Sequence, residues 1–440
     1  MSAAASLRGA TPARAAIALV GVIVCVWAGR GAVSGRASSL LAARGPGPTC
    51  PVPTLEGRGD ICERAFAFVD RPCNLGRHST LCLDFPMRPL TKRDYDAAVA
   101  AAKSPKVRVQ IIKNEIFIVP LRSPLASKYP RILLRHLRHI AGAARLVKLP
   151  DVDFIINVAD GSPPWPYLAH NNAPWNTGMN ATYAVPPDTT VLSDTPQPAN
   201  APCRNGTTYF ERAAWAARDE RLQFRGSATG TRVDVNGWAS NARARLCAMS
   251  KLFPSWIDGK LTQLWTNEVE SEVLGSFIEV GKGMPMEQAR KYKFVIYLDG
   301  HSQSNRLSSL LHTGAIVLVA TRYEVPLTAS LHRIPHAIPI ANDLSDLMLT
   351  LGCLCAHPEV AIQRLRLGLE AARRMVTYRN SVLLYWADLL EHYHALQQFP
   401  TIRDPRAVPA AKYRFILDGH VVGPERVEIR ELAFPYNMSL

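Results

Sequence analysis

Lys291-Tyr292-Lys293-Phe294-Val295-Ile296-Tyr297-Leu298 runs directly into Asp299-Gly300-His301-Ser302-Gln303-Ser304-Asn305-Arg306, and the reading of this stretch decides the fold. Tyr292 to Leu298 is β-branched and aromatic with almost no polar alternation, the pattern of a strand buried on both faces. It closes at Asp-Gly, a turn pair. A helix is expected over Leu307–His312 and a second apolar strand over Ala315–Ala320. Strand, turn, helix and strand in succession predict an α/β architecture. In such sheets ligands sit beyond the carboxyl ends of the strands, so the turn after Leu298 is a candidate site.

Upstream, the same design recurs. Leu222-Gln223-Phe224-Arg225 reads as a strand leading into Gly226-Ser227-Ala228-Thr229-Gly230-Thr231-Arg232. Small turn residues let backbone N–H groups approach phosphate oxygens, and a following helix N-terminus adds a favourable dipole. Arginine supplies a planar fork that matches phosphate geometry. Neither turn is a GxxxxGK[ST] loop or a GxGxxG fingerprint. Each alone also fits an ordinary loop with a surface arginine.

The rest of the chain alternates. Glu211–Glu220 reads as helix, a helix-rich segment extends to about Gly283, and a last helical region spans Pro358–Leu396. Thr91 and Asp94 form a capping-box variant opening a helix through Ala102. Val107, Val109 and Ile111 alternate with polar residues before Lys113-Asn114-Glu115 and Ile116–Val119, which predicts a β-hairpin. Tyr129–Leu146 is a basic amphipathic helix whose arginines, with His136 and His139, are expected on a solvated face. Asp153–Val158 is a short strand ending at Ala159-Asp160-Gly161. The long Pro-, Trp- and Asn-rich stretch 161–207 holds Trp165, Tyr167, Trp175 and Tyr183. Their rings suit either stacking on sugar faces or a small core of the loop's own.

The 440 residues are 48% hydrophobic, enough for two or three domains. The formal charge of +15 implies anionic partners. No basic run interleaved with aromatics and no zinc-finger spacing occurs, which argues against nucleic acid. Arg8 and Arg14 precede an uncharged stretch, Ala15–Gly29, of 15 residues. It is short for a membrane span of about 20 residues. A cleaved signal peptide and a short signal anchor of a type II membrane protein are both open, and both deliver the chain to the lumen of the ER or Golgi. Apart from Cys25, eight cysteines could pair evenly, and no CxxC occurs. The sequons at Asn180, Asn205 and Asn437 fit the same compartment.

Three ordered motifs resemble glycosyltransferase family 90, the capsule-associated and protein O-glucosyl- and O-xylosyltransferases. They are Phe224-Arg225-Gly226-Ser227 with Arg232; Lys291-Tyr292-Lys293 through Asp299-Gly300 to Ser304 and Arg306; and Leu149-Pro150-Asp151-Val152-Asp153-Phe154 through Asn157 to Asp160. Asp343-Leu344-Ser345-Asp346-Leu347 is a weaker fourth. The likeness covers roughly residues 90–395. It implies a GT-B fold, two Rossmann-like lobes with a cleft between them, and inverting, metal-independent transfer of xylose or glucose from a UDP-sugar. The acceptor would be a hydroxyl of a protein or glycan. Asp160 matches the general base, which must take a proton from that hydroxyl. Arg232 and Arg306 match the groups that neutralise the departing diphosphate. Arg225, Gly226, Ser227, Asp299, Gly300 and Ser304 complete the expected nucleotide-sugar contacts, although Arg225 could hold the turn by an internal ion pair and Asp299 could cap a strand. No cofactor or metal is expected, and Asp151-Val152-Asp153 reads as turn chemistry rather than a metal-binding DxD.

On this reading the chain divides into a signal or anchor (1–29), a stem (30–60), a cysteine-rich prelude (61–90), an acceptor-side lobe (91–210), a nucleotide-sugar lobe (211–396) and an extension (397–440). Val325-Pro326-Leu327 after Glu324, and Ile334 and Ala337 around His336, depart from the family's aromatic pattern. They are expected to reshape the sugar or acceptor pocket, and His336 itself reads as a packed core histidine. The departures leave a second reading, an inactive lumenal glycan-binding member of the family.

Overall fold

Thr91 opens the first long helix, α1 (Lys92–Ala101), by accepting the Asp94 N–H at 3.1 Å on its side-chain oxygen. The computed structural model describes isolated residues between 62 and 82, then 89–102, 106–120, 130–157, 166–169, 183–184, 215–323 and 326–422 apart from a few internal positions. The segment 1–29, the three sequons and most of 161–207 lie outside the described residues. No described helix is long and apolar enough to cross a membrane.

The expected hairpin forms from β1 (Lys106–Ile112) and β2 (Glu115–Val119), in register Val109↔Ile118. Lys113 and Asn114 both take positive φ, +50° and +65°, the two-residue turn whose twist suits a hairpin. After α2 (Pro130–Leu146), β3 (Val152–Asn157) runs antiparallel to β1, and β4 (Tyr167–Ala169) and β5 (Tyr183–Ala184) add in parallel. Val408–Pro409 extends the far edge beside β2. This sheet is therefore mixed. The tight hairpin imposes antiparallel pairing on one half, where a Rossmann-like lobe would be parallel throughout.

His136 and His139 correct the expected solvated face: both are buried, at 0% and 1% exposure. They share a face of α2 with Leu133 and Ile140. The His136 ring lies 5.7 Å from Trp386 and the His139 ring 5.5 Å from Tyr378. Periodicity identified the stripe, but half-apolar imidazoles can sit on either side of it. Asp153 also differs from the turn reading. It is buried in β3, where Arg108 engages both its oxygens at 2.9 and 2.6 Å, Gln110 Nε2 donates at 2.6 Å, and the Tyr95 hydroxyl donates as well. Burial, then the Asp153 charge, pushes the Tyr95 phenol well above its ordinary value. Asp151 does serve a turn, accepting the Lys113 N–H at 2.6 Å.

β6 (Asp219–Ser227) begins three residues earlier than its apolar run suggested, so Asp219 and Glu220 are strand and not the end of a helix. Lys293 Nζ pairs with Glu220 at 2.6 Å and lies 4.9 Å over the Trp215 ring, which accounts for polar residues on a buried strand. From Arg225 the chain enters a smaller compact unit that ends at Lys282. It contains α3 (Ala242–Leu252), β7 (Ile257–Gln263) and α4 (Glu268–Gly275), the two helices capped by Asn241 and Asn267. β7 was hidden in a stretch expected to be helical, because Ile257-Asp258-Gly259-Lys260 shows no clean alternation. Cys247 of α3 is a free, buried thiol whose pKa burial raises. Even pairing of the eight cysteines therefore does not hold.

The larger unit resumes with β8 (Tyr292–Leu298), β9 (Ile316–Ala320) and β10 (Ala337–Pro339), all parallel. β8 also pairs in parallel with the first part of β6, through Leu222↔Phe294 and Gln223↔Val295. Every residue of β8 and β9 is buried, as their unbroken apolar patterns predict. Three helices follow: α5 (Leu347–Ala356), α6 (Pro358–Met375) and α7 (Tyr385–Leu396), with a π-helical segment, Arg379–Leu384, before the last. α7 lies against α2 and β3, and its Trp386, Leu389 and Tyr393 share one core with Phe154, Ile140, Tyr297 and Val317. Cys62 and Cys353 are joined by a disulfide, and Cys82 and Cys355 each take part in a separate disulfide of their own.

Candidate functional site

Each strand-end turn has its own scaffold, and the smaller unit holds the first. Arg225 is 8% exposed, and its guanidinium is committed to Asp258. Nη2 reaches both carboxylate oxygens at 2.8 and 2.9 Å, and Nη1 reaches the Asp258 carbonyl at 2.6 Å. Its place in the site is thus to tie the end of β6 to β7. Gly226 is buried beside it and Ser227 is half-buried.

Beyond Ser227 the turn is held from behind by α3. Asn241 donates through Nδ2 to the carbonyls of Thr229 (3.2 Å) and Thr231 (2.7 Å), and its Oδ1 caps α3 by accepting from Arg243 and Ala244 N–H. Arg243 Nη1 donates to the Ser227 carbonyl (3.0 Å) and to the Thr229 hydroxyl (2.5 Å). Gly230 takes φ +116°, a conformation that side chains rarely adopt. Carbonyls 227, 229 and 231 are therefore engaged from the α3 side. Asn241 and Arg243 were missed in the sequence. Only the strong N-cap residue Asn241, just ahead of a helical run, could have signalled them. Arg232 lies outside the described residues.

In the larger unit, the turn after β8 is fixed differently. Both Asp299 oxygens are occupied: Oδ1 accepts the Thr321 hydroxyl (2.8 Å) and Oδ2 the Arg322 N–H (2.7 Å). Asp299 thus joins the carboxyl ends of β8 and β9, a strand-end role. Gly300 and Ser304 are half-buried, and the Ser304 N–H donates to the Tyr297 hydroxyl at 2.8 Å. Tyr323 donates its hydroxyl to the His301 carbonyl at 2.8 Å. Arg306 immediately precedes the one-turn helix Leu307–Leu310. It is exposed, yet surrounding protein desolvates its guanidinium enough to lower its pKa.

Asp160, Glu324, Trp165 and Trp175 lie outside the described residues. Of the loop aromatics, Tyr167 is 4% exposed; its hydroxyl donates to the Ala98 carbonyl at 2.8 Å and Lys106 covers its ring at 4.2 Å. That residue packs in the core and offers no stacking face. Leu327, Ile334 and Ala337 are also members of the core. His336 is fully buried, with Nε2 on the Leu311 carbonyl at 3.0 Å, and burial pushes its pKa down to about 4. It is a neutral packed histidine.

Comparison with known proteins adds the following. Residues 210–413, which contain both turns, match the family model described as Glycosyl transferase family 90. The chain is 24% identical over 281 residues to Protein O-glucosyltransferase 2 of Danio rerio, covering 59% of this chain and 51% of that protein. It is 24% identical over 311 residues to Protein O-glucosyltransferase 3 of Rattus norvegicus, covering 68% and 56%. Uncharacterized protein 027R of Frog virus 3 is 26% identical over 292 residues, covering 55% of this chain and 30% of the viral protein. The chain thus spans about half the length of the two O-glucosyltransferases and less of the viral relative.

Proposed function

Since residues 210–413 of this chain belong to glycosyl transferase family 90, we propose that it moves xylose or glucose from a UDP-sugar to a hydroxyl of a protein or glycan. The reaction is inverting and needs no metal. Asp160 takes the acceptor proton as the oxygen attacks the anomeric carbon, so it must lie within hydrogen-bond reach of that oxygen. Arg232 and Arg306 neutralise the charge that develops on the departing diphosphate. Asn241 and Arg243 anchor the carbonyls of the 227–231 turn, and a turn already held in place needs no reorganisation during reaction. The work is done in the lumen of the secretory pathway.

The observation that carries this reading is the family match over both turns. Turnover assays with purified protein and a panel of UDP-sugars test it. UDP release is expected with one donor, and Asp160→Asn should lower it by at least 100-fold while donor binding persists. Equal release by wild type and Asp160→Asn would remove Asp160 from the mechanism. One observation favours a second reading, an inactive glycan-binding member of the family: Leu327, Ile334 and Ala337 fill core volume where the family carries aromatics. Donor binding without turnover on any acceptor would select it.

A further inference from the structure

A group of metal-ligating side chains lies outside both turns. His78, Asp388 and Glu391 place one ligand-type atom each within 4.8 Å of one another. Asp388 and Glu391 stand three residues apart on α7 and so share a face. His78 reaches them from a segment 310 residues earlier in sequence. Asp388 is 3% exposed; Oδ1 accepts the His78 N–H at 2.8 Å and Oδ2 the Ser79 N–H at 2.7 Å. Glu391 Oε1 meets His78 Nε2 at 2.9 Å.

Two features point beyond an ion pair. Two carboxylates face a single imidazole, and among the described residues neither has a lysine or arginine partner. A buried carboxylate in that setting lacks adequate counter-charge. Independently, the Ser79 hydroxyl is buried without a hydrogen-bond partner among the described residues. Because the N–H of the same residue sits on Asp388, the hydroxyl lies within about 6 Å of that carboxylate by covalent reach. An unsatisfied hydroxyl beside an under-neutralised carboxylate is what an ion with its bound water would complete.

We propose that His78, Asp388 and Glu391 form a divalent-cation site, with Zn²⁺ as the ion its donor set fits. One imidazole nitrogen and two carboxylate oxygens are borderline-to-hard ligands that zinc accepts at about 2.0–2.2 Å, with water in the fourth position. Tetrahedral edges at those lengths are about 3.4 Å. His78 Nε2 and Glu391 Oε1 need to separate by only about half an ångström, which a partly exposed glutamate can do. Each Asp388 oxygen keeps a second lone pair after accepting its backbone N–H. Those two N–H bonds act as the outer contacts that orient a ligand. The site clamps the segment around His78 to α7 and takes no part in sugar transfer.

Metal-stripped full-length protein, titrated with Zn²⁺ by calorimetry and melted with and without zinc, tests this. One site per chain and a zinc-dependent rise in Tm are expected. His78→Gln and Glu391→Gln should each weaken binding at least 10-fold and abolish the Tm rise. Asp388 is left intact because it holds the backbone, and circular dichroism checks that both variants fold. If a variant fails to fold, Co²⁺ absorption of wild type decides: nitrogen–oxygen tetrahedral bands support the site, and their absence refutes it. No zinc binding by wild type, or equal affinity in wild type and both variants, overturns the proposal.

Discussion

Asp258 neutralises a guanidinium that has almost no contact with water, and so it controls the first turn from a neighbouring strand. Asp258→Asn removes the carboxylate charge from the buried Arg225, and breaking a buried ion pair in this way costs about 3–5 kcal/mol. The expected outcome is local loss of order in the smaller unit, read as faster amide exchange across 225–231. Unchanged protection there would show that the pair is dispensable. Arg225 was visible in the sequence as one letter of a motif, with both its possible roles stated. Its partner was not, because Asp258 is 33 residues away and its strand carries no clear period. The same limit applies to Asn241 and Arg243. A turn advertises its own small residues, but its supports arrive through the fold, and a single sequence does not encode which side chains will meet.

Helix α6 passes so close to β10 that Gly368 has no room for a side chain. A Cβ there would sit 2.0 Å from His336 Nδ1 and 2.5 Å from the His336 backbone nitrogen. Alanine normally gains up to about 1 kcal/mol over glycine within a helix. Here overpacking costs about 1–3 kcal/mol or more and outweighs that gain. Gly368→Ala should therefore lower Tm, and a stabilised variant in a thermal melt would contradict this packing. Elements with a strong period were the legible ones: the hairpin by alternation, β8 and β9 by unbroken apolar runs, α1 by its cap. Those without one were not. β7 mixes Asp, Gly and Lys into a half-buried strand, and α5, apolar over most of its surface, shows no amphipathic contrast to mark it as a helix.

Across the molecule, buried imidazoles set the response to acid. His336 is neutral in the fold at a pKa of about 4 because burial penalises its charge, and burial lowers His312 as well. In the unfolded chain an imidazole takes up its proton near 6.5. Protons therefore favour unfolding, and stability that is complete above about pH 6.5 drains as pH falls toward 4, by up to about 3 kcal/mol for His336. Asp404, held at about 2 chiefly by its hydrogen bonds from Arg406, adds a second loss below its ordinary value of 3.8. Thermal denaturation followed against pH should show Tm falling through the first window. A level profile from pH 7 to 4.5 would mean that these histidines titrate normally. The charge of +15 was legible from composition, but not which titrating groups are buried, since that depends on tertiary cover.

The Cys62–Cys353 bond spans 291 residues of chain. A ribosome adding about 5–20 residues per second would deliver the second thiol roughly 15–60 s after the first. During that wait the earlier thiol is in the company of nearer cysteines at 50, 73 and 82. Correct pairing is thus a problem of timing as much as of geometry, and it would be decided by whatever keeps Cys62 reduced until α5 has been made.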